Sequence, residues 1–104
     1  MKNKKVLSFP LMGAYLLAFL FLSQNIQAQT AHSHLRQGDQ YYNQNDFSKA
    51  EEEYYKAMNK KGSATSQYNL GNAIYQQERY EEAVQRYEEA AATAKSEETK
   101  ADAF

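Results

Sequence analysis

The stretch Tyr68–Ala90, YNLGNAIYQQERYEEAVQRYEEA, decides the fold of this chain. It reads as two amphipathic helices joined by a tight turn. The same pattern lies upstream. When the sequence is laid on itself so that Gly38 falls on Gly71, Phe47 falls on Tyr80, Ala50 on Ala83, Tyr54 on Tyr87 and Ala57 on Ala90. Five matches at one offset, all small or aromatic, mark an internal repeat. A period in the low thirties belongs to stacked helix pairs, each burying its apolar face against a neighbour and not in a single globular core. The expected architecture is therefore an all-α solenoid of helix–turn–helix units.

Working outward, Ser63 is placed to cap a helix over about Ala64–Gln77, its hydroxyl accepting from free backbone N–H groups. The next helix spans about Tyr80–Ala94, with Tyr80, Ala83, Val84, Tyr87, Ala90 and Ala91 on one face. Glu81, Glu82, Glu88 and Glu89 take the opposite side. Upstream, a helix over about His34–Gln44 carries Leu35, Gly38, Tyr41 and Tyr42. Asn43-Gln44-Asn45-Asp46 is turn chemistry, with Asn45 or Asp46 able to cap the helix that follows. That helix, about Phe47–Asn59, aligns Phe47, Ala50, Tyr54, Ala57 and Met58 along one face. Lys60-Lys61-Gly62 ends it, the glycine being free to take a left-handed cap. Lys56 one helical turn after Glu52, and Arg86 one turn after Glu82, are spaced for modest surface ion pairs. Beyond Thr93 the chain is polar, and Glu97–Phe104 reads as the opening of a further helix.

The N-terminus has a different grammar. Lys2, Lys4 and Lys5 precede an uncharged run, Val6–Leu22, then a polar stretch Ser23–Gln27 and Ala28. This is the layout of a secretory signal, with cleavage expected between Ala28 and Gln29. The alternative is an uncleaved N-terminal anchor, since the apolar run is long for a signal and short for a membrane span. Either way the remainder is expected to be exported. Residues 29–33 are small and polar and read as a flexible leader.

Composition excludes several function classes. There is no cysteine, hence no disulfide framework, thiolate metal site or thiol nucleophile. The whole chain carries a formal charge of −1, and without its three N-terminal lysines nine basic residues face 13 acidic ones, a balance of −4. An acidic chain with no basic stripe does not suit nucleic acid.

The repeat resembles a tetratricopeptide (TPR) unit. Gly38, Tyr41, Phe47, Ala50, Tyr54 and Ala57 resemble one copy, in residues 34–62. Leu70, Gly71, Ile74, Tyr80, Ala83, Tyr87 and Ala90 resemble a second, in residues 63–95. The resemblance implies two antiparallel helices per unit, with the Gly of the first helix facing an Ala of the second so that the backbones approach closely. Unit 1 departs from the pattern, with Gln37 where unit 2 has Leu70 and His34 at the usual aromatic position. Gly62 and Lys95 stand where a closing proline is common. Unit 1 thus looks like an end repeat. More narrowly, the signal segment, HLRQGDQYYNQNDFSKAEEEY, SQYNLGNAIYQQERYEEAVQRYEEAA and AKSEETKADAF are similar to the periplasmic TPR protein of Bacteroides aerotolerance (Bat-type) operons. That likeness implies that residues 96–104 are a linker and the start of a third helix pair, that Phe104 is its first aromatic, and that the sequence is an N-terminal fragment. It also implies a bacterial periplasm or cell envelope as the location, and envelope proteins as partners. Two units without a closing helix leave the Val84, Tyr87 and Ala91 face partly uncovered, so marginal folding alone is expected, with either association or a missing C-terminal part.

Catalytic chemistry finds no support in the sequence. His32 and His34 make an H-x-H pair without a third ligand and read as exposed. Glu51-Glu52-Glu53 and Glu81-Glu82 read as solvated faces, because neighbours on a helix point about 100° apart. No serine sits in a G-x-S-x-G setting and no glycine-rich loop could cradle phosphate. No enzyme, metal or cofactor is expected. What remains is a surface. In TPR arrays the first helix of each unit lines a concave groove, and the resemblance places Leu35, Asp39 and Tyr42 there from unit 1, with Tyr68, Asn72 and Tyr75 from unit 2. Tyrosines among Asn and Asp suit an extended peptide, although Tyr68 and Tyr75 equally suit packing between units. Asn69 matches an Asn of the TPR groove that captures C-terminal carboxylates, but Leu35 and Asp39 replace its Lys and Asn, so that specificity is not implied.

Overall fold

The computed structural model describes residues 4–103, all but a few of them in helix. The basic start at Lys2 and the aromatic Phe104 lie outside the described residues. Four helices follow one another: α1 (Lys4–Asn43), α2 (Phe47–Lys60), α3 (Ala64–Gln76) and α4 (Tyr80–Ala103). The C-terminal part of α1 pairs with α2, α3 pairs with α4, and α2 and α3 join the two hairpins.

Each hairpin turns in the same way, bond for bond. The N–H groups of Gln44, Asn45 and Asp46 donate to the carbonyls of Tyr41, Tyr42 and Tyr41 at 3.1, 3.0 and 2.9 Å. One repeat later, those of Gln77, Glu78 and Arg79 donate to Ile74, Tyr75 and Ile74 at 3.0, 2.9 and 3.4 Å. The residue at the bend takes a left-handed conformation in both, Asn45 at φ 61° and Glu78 at φ 63°. Asparagine tolerates that region because its short amide bonds locally; glutamate pays for its Cβ. Asp46 caps α2 through its carboxylate, which accepts from the Lys49 N–H at 3.3 Å. Ser63 caps α3 in a reciprocal box with Ser66.

Other expectations at helix ends are corrected. Gly62 has no positive φ; Lys61 leaves α2 in extended backbone while its N–H still reaches the Ala57 carbonyl at 3.0 Å. Residues 29–33, expected as a flexible leader, lie inside α1, and Ala31 is buried. No glycine or proline lies between Gly13 and Gly38, and the hydroxyls of Ser23 and Thr30 bond back to the carbonyls of Leu20 and Ile26. Residues 96–103 do not open a third helix pair either; they continue α4. Lys95 stands where unit 1 has Gly62, so nothing interrupts the helix there. The Glu97 carboxylate reaches back to accept from the Ala64 N–H at 3.2 Å, an extra cap on α3.

The core lies between the hairpins. Leu70, Ala73 and Ile74 of α3 pack against Ala50 and Tyr54 of α2 and Ala83 of α4, with Leu35, Tyr41, Tyr42, Met58 and Tyr87 around them. Burying Leu70 and Ile74 contributes roughly 1.5–3 kcal/mol each. The close approach within each hairpin is set differently from expectation. Gly38 and Gly71 face tyrosine rings, not alanines: a Cβ at Gly38 would run into the Tyr54 ring, and one at Gly71 would lie 2.8 Å from that of Tyr87. The glycine leaves space for an aromatic ring laid across the first helix. Ala50, Ala57, Ala83 and Ala90 are buried beside those rings. Along α1, the apolar side chains from Tyr15 to Leu22, and Ile26, are exposed. Among the described residues, no helix is long and apolar enough to cross a membrane.

Candidate interaction surface

Each hairpin is locked by the hydroxyl of the tyrosine that covers its glycine. Tyr54 donates to the Asp39 carboxylate at 2.6 Å, and Tyr87 donates to the Asn72 amide oxygen at 2.7 Å. Both members of the second pair are the repeat counterparts of the first. Burial and then the neighbouring Asp39 carboxylate push the Tyr54 hydroxyl well above the ordinary tyrosine range. Burial also raises Tyr87, with the nearby Tyr68 adding to it. Asp39 and Asn72, expected in a groove, are therefore partly spent on holding tyrosines in place. Each keeps a second polar atom beyond that bond.

Aromatic pairs repeat as well. Tyr42 meets Phe47 edge-on with ring centroids 5.1 Å apart, and Tyr75 meets Tyr80 edge-on at 5.0 Å. Such pairs brace the turn from the outside of the core. Tyr68 packs against Tyr87 at 5.6 Å; its counterpart in unit 1, Leu35, packs against the central core. Asn69 is half-buried on α3. Of the seven expected groove residues, Leu35 goes to the core, Tyr42 and Tyr75 to turn braces, and Asp39 and Asn72 to hydroxyl anchors, while Tyr68 and Tyr75 are left about half exposed.

A polar joint ties unit 2 to unit 1, and the sequence reading did not single it out. Glu51 of α2 accepts from Arg79 Nη1 at 2.9 Å and from Gln77 Nε2 at 2.7 Å. The same Gln77 amide reaches the carbonyls of Ala73 at 3.1 Å and Phe47 at 3.4 Å. Gln76 donates to the Tyr42 hydroxyl at 3.3 Å, and the Arg86 guanidinium lies 6.0 Å from the centre of the Tyr55 ring. The clue in the sequence was Arg79, which breaks the repeat where unit 1 has Asp46.

The acidic run is not one solvated face. Glu53 is buried to 8% exposure, with Oε2 2.7 Å from His34 Nδ1 and Oε1 3.2 Å from Lys56 Nζ. His34, read from the sequence as exposed, is largely covered by this contact. Burial alone would raise the Glu53 carboxyl; hydrogen bonds from His34 and Lys56 outweigh it and leave the group below the usual range. Lys56 also pairs with Glu52 at 3.2 Å, as its spacing predicts. Arg86 pairs with Glu89 at 3.0 Å instead of Glu82, which is held by Arg79 at 2.6 Å. In unit 2 the counterparts of His34 and Glu53 are Gln67 and Arg86, and the Gln67 amide oxygen is buried without a donor.

At the end of the second hairpin, α3 and α4 leave an open apolar cleft of about 680 Å³. Thr65 and Tyr68 line it from one side, with Tyr87, Ala90, Ala91 and Ala94 from the other. The rest of this outer face continues toward the turn through Val84 and Tyr80, both about half exposed. No family model, curated protein or solved structure matches the chain.

Proposed function

We propose that this chain is an exported TPR scaffold of a bacterial cell envelope that binds protein and makes or breaks no bond. The observation that carries this reading is the repetition of one hairpin at atomic detail. Turn hydrogen bonds, left-handed bend, edge-on aromatic pair, and glycine under an anchored tyrosine all recur at the offset that carries Gly38 onto Gly71. Solenoids of such hairpins present extended surfaces built from the first helix of each unit, here α1 and α3. The half-exposed Tyr75 and the remaining polar atoms of Asp39 and Asn72 support aromatic area and hydrogen-bonding groups for an extended peptide on that surface. Export rests on the lysines, apolar run and small residue between Lys2 and Ala28. A role beside Bat-type envelope proteins rests on the sequence likeness alone.

Replacing Tyr42 and Tyr75 by Ala, with capture of envelope proteins on immobilised chain as the readout, tests the docking. Loss of a specific partner with helicity unchanged is the expected result. An unchanged set of captured proteins sinks the peptide-docking reading. It would favour a structural module that associates through its uncovered end, for which the exposed Tyr80, Val84 and Ala91 speak.

A further inference from the structure

The two anchored tyrosines act as an internal control for the residues that receive them. Tyr54 donates to the Asp39 carboxylate at 2.6 Å, and Tyr87 donates to the Asn72 amide oxygen at 2.7 Å. Asp39 and Asn72 are repeat counterparts, as are the two tyrosines and the glycines they cover. The anchor uses one acceptor oxygen, and in unit 2 a neutral amide supplies it. The negative charge of Asp39 is therefore surplus to holding the hairpin.

The surroundings say what that charge can meet. Tyr42 lies near both anchored hydroxyls: burial first, then Asp39 and Tyr42, push the Tyr54 hydroxyl up, and burial first, then Tyr68, Tyr42 and Tyr75, raise Tyr87. The Tyr42 hydroxyl also accepts from Gln76 Nε2 at 3.3 Å. Asp39 and Asn72 thus belong to one surface, bridged by Tyr42, that crosses both units. It is poor in charge. Asp39 is the only carboxylate on α1, and α3 has no charged residue. On the second helices and turns, Asp46 pairs with Lys49, Glu51 and Glu82 with Arg79, Glu53 and Glu52 with Lys56, and Glu89 with Arg86. Asp39 is exposed, and among the described residues no basic side chain pairs with it, Arg36 one turn earlier included. The bond from Tyr54 engages Oδ1 and holds the carboxylate in place, so little freedom is lost when a second donor arrives. A backbone N–H of a bound peptide needs no more than the neutral oxygen of an amide. A fixed, unpaired carboxylate adds a preference for a cation, because a charge-assisted hydrogen bond is about twice as strong as a neutral one.

We propose, resting on the peptide-docking reading, that the extended peptide carries a lysine or arginine and that Asp39 is the residue that selects it. An acidic residue at that place in the peptide is repelled, and a neutral one forgoes the charge-assisted bond.

The test exposes the immobilised full chain to a library of short capped peptides with one position fixed at a time, and reads the preference at each. At one position Lys or Arg is expected to be bound about fivefold over Gln, the preference falling as salt rises. Asp39→Asn, which copies unit 2, is expected to abolish that preference while the melting curve and the preferences at other positions stay as they were. The chain is acidic as a whole, so Glu88→Gln serves as the control: it removes the same charge at an exposed position of α4 and is expected to leave the preference intact. Three results overturn the selection by Asp39 and leave peptide docking standing: peptides bound with no basic preference, a preference that survives Asp39→Asn, or one that Glu88→Gln lowers equally. A lower melting temperature for Asp39→Asn gives the charge a structural task and overturns it as well. If no peptide binds the unsubstituted chain, docking itself fails and the selection falls with it.

Discussion

Unit 1 and unit 2 build the same hairpin and differ in what lies against it. In unit 1 the tyrosine over the glycine, Tyr54, is 2% exposed because α3 closes over it. In unit 2 its twin Tyr87 makes the same anchoring bond but borders an open cleft. The difference extends to the polar contacts. Unit 1 has a capped α2, a buried His34–Glu53 pair and a Glu51 that receives the next unit. Unit 2 has a glutamate in a left-handed bend, an amide oxygen without a donor, and valine at the receiving position. A repeat protein can thus keep one local geometry while its energetics are set by neighbours.

Substitutions at matched positions can break this comparison. The largest effect is expected at Leu70, fully buried between the hairpins, whose counterpart Gln37 is exposed on α1. Leu70→Ala should cost about 3 kcal/mol in urea unfolding, and Gln37→Ala should stay within about 0.5 kcal/mol. Equal effects would show that the joint between units is not where the stability lies.

The glycines come next. Gly38→Ala forces the Tyr54 ring to move inside a covered core and should cost about 2 kcal/mol. Gly71→Ala presses on a ring that can yield into the cleft, while alanine favours the helix by about 1 kcal/mol. The net change there should be near zero. If the two variants lose the same thermal stability, Tyr87 is as tightly held as Tyr54 and the contrast between the units fails.

Making unit 2 more like unit 1 at its bend should help. Glu78→Asn copies Asn45 at a φ of 63° and should raise stability by about 1 kcal/mol. A decrease would mean that the glutamate side chain contributes something the backbone geometry does not show.

The smallest effect at neutral pH, and the clearest in acid, concerns Glu53. Its carboxyl is lowered in the folded chain, so its contribution is complete above the ordinary value of 4.5 and disappears as pH falls through the lower folded value. The groups facing it are His34 and Lys56, with Glu52 sharing the lysine. Glu53→Gln should flatten the loss of stability below about pH 4.5 when melting is followed by circular dichroism. An unchanged acid slope would assign the effect to carboxylates elsewhere.

Much of the fold was legible because it rests on local chemistry. The repeat offset, the turn at Asn43–Asp46, the cap at Ser63 and the apolar faces of α2 and α4 all follow from spacing and side-chain type. The lengths of α1 and α4 were not legible, because polar residues do not end a helix when glycine and proline are absent. The candidate surface was less legible. Leu35, Asp39, Tyr42, Asn72 and Tyr75 share a helix side in the sequence pattern, but their partners sit on other helices, as Tyr54 does for Asp39 and Gln76 for Tyr42. Only those contacts decide whether a side chain is available to a ligand. Glu53 shows the same thing: next to two other carboxylates, it reads as solvent-facing until His34 arrives from another helix.

The sequence by itself determined that this chain forms helix pairs, where they turn, and that the pairs repeat. Those properties depend on backbone preferences and on periodicities of a few residues. The tertiary structure alone decided that glycine faces tyrosine and that Arg79 and Gln77 weld one unit to Glu51 of the other. It also decided that, among the described residues, Tyr80 and Val84 on the outer face of unit 2 are left about half exposed. Which ring a glycine admits, which carboxylate is desolvated and which apolar face lacks a cover depend on residues brought together from separate helices. Burial, unlike helix propensity, belongs to pairs of surfaces and not to a single stretch of chain.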